Sequence, residues 1–443
     1  MRPDPEGLLP ATEPVTLIDS DGAPVTTARA ADVPPEAAVP PAGVGPQTQA
    51  LDPADHSRTA TGAQAGPVSH PAPPYGAGAG YWQLPPGPAL VAALRGMIAA
   101  RRFNDQAYAL VRQGRLAVYP SSHGQEACQV AAAQVLSDGD WLFPTYRDTA
   151  AVVARGVDPG ETLTLLSGEW HHGWDVHAHH VAPLTTPLAT QLPHAVGVAH
   201  AARLRGEDTV VLALCGDGGT SEGDFHEALN FAAVLHAPVV FLVQNNTFAI
   251  SVPLSRQTAA PSLAHKGAGY GIPGERVDGN DAAALLAVLG AAVDAARAGG
   301  GPRLVEAHTY RIQAHTNADD ATRYREDDEV AAWSRRDPVD RLRTFLTERG
   351  DIDEADLAAF ADDAERMAAR LREELATDVR HDPSELFEHV YATPTPQLRE
   401  QLAMLTDEAI RDRPAGDTAP PARAEAAGLA APTTGTSDPG GAR

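Results

Sequence analysis

The chain has 443 residues, enough for one large α/β domain or two ordinary ones, and a hydrophobic fraction of 43% allows a substantial core. Its formal net charge of -24, from 34 basic and 58 acidic residues, argues against nucleic acid or an anionic membrane as a partner, since both reward basic patches. Almost all the basic residues are Arg; Lys266 is the only lysine, which reads as a mark of gene base composition rather than of function.

Residues 1–79 are rich in Pro, Ala, Gly and Thr and nearly free of aromatic side chains. Such a segment cannot bury enough apolar surface to offset its ordering entropy, so it is expected to be disordered. Residues 412–443 read the same way, which leaves 80–411 as the folded domain. The start, MRPDPEGLLPATEP, lacks the basic segment and apolar core of a signal peptide, and no uninterrupted apolar run of about 18 residues is present to cross a membrane. Two cysteines, Cys128 and Cys215, make no disulfide framework, so a reducing cytoplasm is expected.

Within the core, ALVAALRGMIAARRFNDQAYALVRQG predicts a helix and DWLFPTYRD a short strand running into a loop. TVVLALCGD is a continuous apolar run, the pattern of a strand buried on both faces. The segment EGDFHEALNFAAVLH follows as a helix with Phe225, Ala228, Leu229, Ala232 and Leu235 on one face and Asp224 and Glu227 near its start. APVVFLVQNN is a second buried strand, and PRLVEAHTYR a third after an Ala-rich helix beginning near Asp281. This alternation predicts right-handed βαβ units, hence an α/β fold with a parallel sheet flanked by helices. Farther on, Leu357, Phe360, Ala364, Met367, Leu371 and Leu375 keep helical spacing behind Asp353 as N-cap.

Ligands of parallel sheets bind beyond the C-terminal strand ends, where Asp217 and Asn246 both fall. On neighbouring strands, the carboxylate of one and the amide oxygen of the other reach a single ion. Magnesium takes six oxygens and is commonly completed by phosphate and water. Gly216, Gly218 and Gly219 let the main chain approach phosphates, and the helix starting near Gly223 offers free N–H groups to anions. GDG alone is more often an ordinary turn; its pairing with NN at this spacing favours a magnesium–diphosphate site. A nicotinamide-dependent dehydrogenase fits less well. In GDGGTSEG, Ser221 occupies the place of the third fingerprint glycine, and the next strand ends in Gln244-Asn245-Asn246 instead of an acidic residue for a ribose hydroxyl.

Several motifs resemble the alpha subunit of the first, decarboxylating component of 2-oxo acid dehydrogenase complexes: RQGRLAVYPSSHGQEA, FPTYRD, TTPLATQLPHAVG, GDGGTSEGDFHEALNFAA, QNNTFAISVP, GIPGERVDGND, YRIQAHTNADDATRYR and TPQLREQ. The resemblance implies a thiamine-diphosphate-binding fold with thiamine diphosphate and Mg2+ as cofactors. It places Asp217, Asn246 and the Phe248 carbonyl on the metal, Gly218 and Gly219 on the diphosphate, and Tyr146, Arg147 and Arg311 about the diphosphate and reaction face. Thr186 and Leu188 would line the thiazolium, and Thr185, Pro187, Thr190 and Gln191 stand where branched-chain members bind a structural K+. For Thr185 and Thr190 plain helix capping is an equal alternative. His315 would be the catalytic histidine, with Tyr146 beside it.

The His-rich GEWHHGWDVHAHH holds His171, His172, His177, His179 and His180 without a standard zinc spacing; the family places an active-site loop here, so either His171 or His172 is expected to face substrate. Three positions depart from mammalian relatives: Thr316 and Glu326 stand where regulatory serines occur, so kinase control of that type is not expected, and Gln244 replaces an arginine near the diphosphate.

Thiamine-diphosphate catalysis requires two α/β domains, and the chain has only one GDG–NN unit. The resemblance therefore implies a beta subunit that completes the pocket, an α2β2 heterotetramer and a lipoyl-bearing acyltransferase partner. The reaction implied is oxidative decarboxylation of a branched-chain 2-oxo acid with acyl transfer to lipoyl. Pyruvate is the alternative substrate, and a catalytically silent scaffold homologue is disfavoured by the intact Asp217, Asn246 and His315.

Overall fold

The structure, a computed structural model, describes residues 5–25, 82–168, 170–376, 382–388 and 390–411. Seven strands occur among them: β1 (Trp141–Phe143), β2 (Val211–Gly216), β3 (Val239–Asn245), β4 (Phe248–Ala249), β5 (Val252–Pro253), β6 (Gly274–Asp278) and β7 (Arg303–His308). Five form one parallel sheet in the order β1-β2-β3-β7-β6, while β4 and β5 make a small antiparallel ribbon. Gly216 pairs with Gln244, so Asp217 and Asn246 leave adjacent strands side by side.

Strands β2 and β3 alternate their side chains between two cores, which explains their unbroken apolar character. Leu212, Leu214, Val240 and Leu242 pack with the helices Gly87–Arg112, Glu126–Gln134 and Ala282–Ala295. Val211, Ala213, Val239 and Phe241 pack on the other face with Gln191–Arg205 and Gly223–Leu235. The latter helix buries Phe225, Ala228, Leu229 and Ala232 as its spacing predicts, with Leu235 only half-buried.

The helix Glu354–Glu374 begins at Asp353, whose carboxylate accepts from Ala355 N (2.8 Å) and Asp356 N (3.0 Å) while its own N–H donates to Asp356. Ala364, Met367 and Leu371 are its buried face; Leu357, Phe360 and Leu375 are half-buried. The helix Ala282–Gly300 is long and apolar enough by composition to cross a membrane, but Ala283, Leu285, Leu289 and Ala292 are fully buried in the sheet-helix core instead.

The disorder expected for 1–79 does not hold for residues 5–25. Val15, Leu17 and Ile18 are 1–3% exposed, and Val15 extends the sheet beside Val277 of β6. The Asp281 carboxylate accepts from Leu17 N (2.6 Å) and Ile18 N (2.8 Å), and with its other oxygen caps Ala283 and Ala284. Composition averaged over the segment hides this short apolar run, which the edge of β6 and a buried carboxylate select. Residues 26–81 and 412–443, and the disorder expected there, lie outside the described residues. Within the predicted 80–411 domain, one compact unit ends at Ala376 and a second begins after it. TPQLREQ opens the helix Pro396–Arg411 of the second unit.

Candidate active site

A cleft of about 220 Å³ opens beyond the C-terminal ends of β2 and β3. Of the residues singled out in the sequence, Tyr146, Arg147, Leu188, Asp217, Gly218, Gly219, Asn246, Phe248, Arg311 and His315 line it. Asp217 is 1% and Asn246 5% exposed. Burial pushes the Asp217 carboxyl up, and no ion pair reaches it among the described residues; a hydrogen bond from Gln257 Nε2 (2.7 Å) and the field of Arg311 oppose the rise. A buried carboxylate so placed favours positive charge beside it.

Two further oxygens lie beside it. Asn246 Oδ1 lies 3.1 Å from the Phe248 carbonyl oxygen and 3.3 Å from Asp217 Oδ1, three acceptors grouped together, and accepts from Phe248 N (3.3 Å). Rotating the amide brings a donor to that point but turns the Asn246 oxygen against Gln125 Oε1 at 2.9 Å. Rotating Gln125 as well turns its Nε2, which has no other hydrogen-bond partner, toward the Asn246 oxygen and satisfies every atom; a cation between the three oxygens would do so equally. Octahedral magnesium sets neighbouring oxygens about 2.9 Å apart, close to the spacing here.

The main chain at Gly218 and Gly219 leaves no room for side chains. A Cβ on Gly219 would lie 2.6 Å from Cys215 Sγ, and one on Gly218 2.7 Å from Ala249 Cβ; Gly216 faces open space. Ala189, Thr247 and Ile250, which border or line the cleft, have φ of 65°, 72° and 55°. For a β-branched residue that region is strained, and such strain persists where surrounding structure imposes it. Here Arg311 donates to Phe248 O (3.3 Å) and Ile250 O (2.6 Å), tying down the turn.

Arg147 and Arg311 are 6% and 1% exposed, and neither pairs with a carboxylate among the described residues. This removes the surface salt bridge as an account of Arg147. Arg147 Nη2 lies 3.0 Å from His315 Nδ1 and Arg311 Nη1 3.4 Å. A guanidinium only donates, so Nδ1 accepts and the ring proton sits on Nε2. Burial, then Arg147 and Arg311, hold His315 down to about 4 against the opposing pull of Asp319. His315 is thus a neutral imidazole at ordinary pH, able to donate through Nε2–H.

Residues 95–377 match the family described as dehydrogenase E1 component. The chain belongs to that family. It is 48% identical over 315 residues to the 3-methyl-2-oxobutanoate dehydrogenase subunit alpha of Mycobacterium tuberculosis, covering 71% of this chain and 86% of that protein. It is 41% identical over 262 residues to the pyruvate dehydrogenase E1 component subunit alpha of Staphylococcus aureus, covering 59% of this chain and 71% of that protein. Membership identifies a 2-oxo acid dehydrogenase of the alpha type, with thiamine diphosphate as cofactor and a beta subunit and lipoyl acyltransferase as partners.

In this E1 chain several site residues escaped the sequence reading. Asp148 is fully buried and accepts from Thr145 N (2.7 Å), Thr145 Oγ1 (2.6 Å), Gln244 Nε2 (2.7 Å) and Gln129 Nε2 (3.2 Å). It fixes the turn that presents Tyr146 and Arg147. Burial pushes its carboxyl up, and only neutral donors and the field of Arg147 offset that. Gln244 therefore spends its amide N–H on Asp148, while its oxygen finds no hydrogen-bond partner. Gln125 accepts from Asn246 (2.9 Å) and lines the cleft with Glu222 and Ile250. A Gln in a loop carries no sequence signal, so only the fold reveals these.

Thr186 is exposed and does not line the cleft, unlike its neighbour Leu188. The Thr185 carbonyl accepts from Tyr146 N (3.1 Å), and Pro187 is exposed. Thr190 precedes the helix Gln191–Arg205 without a side-chain capping bond, which removes capping as its role. Gln191 is 2% exposed; its amide N–H donates to Leu214 O (2.6 Å) and its Oε1 has no hydrogen-bond partner. His171 and His172 sit tilted against each other with ring centroids 4.8 Å apart, and neither lines the cleft of this chain. Among the described residues of the His-rich segment, no cluster of three His, Cys, Asp or Glu converges.

Proposed function

We propose that the chain is the diphosphate-binding half of a lipoamide-linked branched-chain 2-oxo acid dehydrogenase, acting in an α2β2 heterotetramer in the cytoplasm. The observation that carries the cofactor reading is the convergence of Asp217, Asn246 and Phe248 oxygens in the cleft. Asp217 Oδ1, Asn246 Oδ1 and Phe248 O hold Mg2+, and Gly218, Gly219 and the following helix start receive the diphosphate. Arg147 and Arg311, buried without carboxylates, supply the positive field. Thiamine diphosphate, when bound, supplies the electron sink for decarboxylation.

The chain's own groups then orient and exclude water. Leu188 and Ile250 form the apolar wall of the cleft. His315, neutral and held by Arg147, offers Nε2–H at the reaction face, with Tyr146 packed edge-on at 6.2 Å. Thr185, Pro187, Thr190 and Gln191 bind K+ beside the cleft; the unpartnered Gln191 oxygen supports this. Two buried free thiols, Cys128 and Cys215, support a reducing compartment.

The branched-chain assignment is supported by the longer and closer match to the mycobacterial protein. The staphylococcal match keeps pyruvate as the second reading. Co-expression with the beta subunit, followed by dye-linked assay of 2-oxoisovalerate and pyruvate with thiamine diphosphate and Mg2+, separates them. We expect higher kcat/KM for 2-oxoisovalerate and almost no activity from the chain alone. Preference for pyruvate overturns the substrate, and strong activity without the beta subunit overturns the half-site reading.

A further inference from the structure

The chain's single lysine sits directly behind the loop that carries Asp217. Lys266 leaves the short helix His265–Ala268, is half-buried, and does not line the cleft. Its ammonium donates to the carbonyl oxygen of Thr220 (2.9 Å) and to Thr220 Oγ1 (2.8 Å). The Thr220 hydroxyl in turn donates to the Asp217 carbonyl (2.7 Å), and the Thr220 N–H does the same (3.1 Å). Thr220 is fully buried, so water does not compete for these bonds.

We infer that Lys266 is a positioning residue for the metal–diphosphate loop: through Thr220 it fixes the Asp217 main chain, and with it the carboxylate. The inference rests on the diphosphate reading of the cleft. A hydroxyl that accepts from an ammonium becomes a stronger donor, so the two bonds reinforce one another. The ammonium is a compact tetrahedral donor that serves a carbonyl and a hydroxyl of the same residue; the longer side chain and planar fork of Arg would have to re-aim to reach the same two oxygens. The Phe225 ring, 5.8 Å from the ammonium, bounds the space on one side. Base composition explains why 34 basic residues include so few lysines, but not why the one that remains stands here.

The test uses the co-expressed complex with the beta subunit. Thiamine diphosphate affinity at fixed Mg2+ is measured by calorimetry for wild type, Lys266→Met, Lys266→Arg, Thr220→Val, Thr220→Ser and the Lys266→Met/Thr220→Val pair. We expect Kd to rise on the order of tenfold in Lys266→Met, as for loss of a charge-assisted hydrogen bond. Lys266→Arg should restore little of it, and the double variant should be no weaker than the single ones. The loss should fall on cofactor affinity, not on kcat at saturating cofactor. Thr220→Ser retains the hydroxyl and should bind more tightly than Thr220→Val, a comparison that stands even if Lys266→Met fails to fold. An unchanged Kd in Lys266→Met or Thr220→Val, even with a lowered Tm, overturns the inference. Failure of the wild type to bind the cofactor would instead overturn the diphosphate reading itself.

Discussion

Arg147→Met is the substitution that most directly probes the state of His315. Arg147 donates to Ser121 O (2.8 Å), to His315 O (3.2 Å) and toward His315 Nδ1 (3.0 Å); methionine supplies none of these. Two unit charges about 4 Å apart at an effective dielectric constant of about 20 repel by roughly 4 kcal/mol, an upper bound of about 3 pKa units. Burial, the largest cause holding His315 down to about 4, and the field of Arg311 both remain after the substitution. His315 in the variant should therefore titrate near ~5–6, still short of the ordinary ~6.5. The sign follows from removing a like charge: the imidazolium becomes less unfavourable, so the pKa rises. Histidine-selective ¹³C labelling with pH titration reads the value, the resonance being assigned by its loss in His315→Gln. Lipoyl acylation by the loaded complex should keep its activity on acidification down to about 5 in the wild type and lose it at higher pH in the variant. A wild-type His315 titrating near ~6.5, or a variant that titrates where the wild type does, refutes the reasoning.

Asp217→Asn should weaken cofactor binding on the order of a hundredfold or more by removing the anionic ligand proposed for the metal, while raising Tm of the cofactor-free chain. The Asp217 pKa is raised in the fold, so the ionised carboxylate is a burden at neutral pH that acidification relieves; Tm measured with and without Mg2+ and cofactor checks both signs. Gly219→Ala places a Cβ 2.6 Å from Cys215 Sγ and should cost about 1–3 kcal/mol with weakened cofactor binding; Cys215→Ala in the same chain should recover part of it in chemical denaturation. Ile18→Ala should destabilise by about 2–4 kcal/mol in the same assay, because Ile18 is 1% exposed against the core; no change would return the N-terminal segment to a disordered tail.

Much of the scaffold was legible because its strongest elements obey one period at a time. Strands β2 and β3 are unbroken apolar runs because both faces are covered, and the helix between them shows its buried stripe. The strand β6 was not legible: Glu275, Arg276 and Asp278 leave Val277 as its only large apolar residue, and the edge is completed by Val15 from more than two hundred residues away. In the site, Asp217, Asn246 and His315 were readable from spacing and resemblance. Asp148, Gln125 and Gln257 were not, since their roles arise from burial and from partners distant in sequence. Lys266 was visible as an oddity of composition, but its meaning depends on Thr220 lying within reach.

The central claim is that three protein oxygens form the metal half of a thiamine-diphosphate site. A crystal of the co-expressed complex grown with thiamine diphosphate and Mn2+ in place of Mg2+, with anomalous diffraction recorded at the manganese edge, tests it most directly. The account predicts one peak about 2.0–2.3 Å from Asp217 Oδ1, Asn246 Oδ1 and Phe248 O together. A peak elsewhere, or a bound cofactor with the Asn246 amide N–H turned toward Asp217, contradicts it.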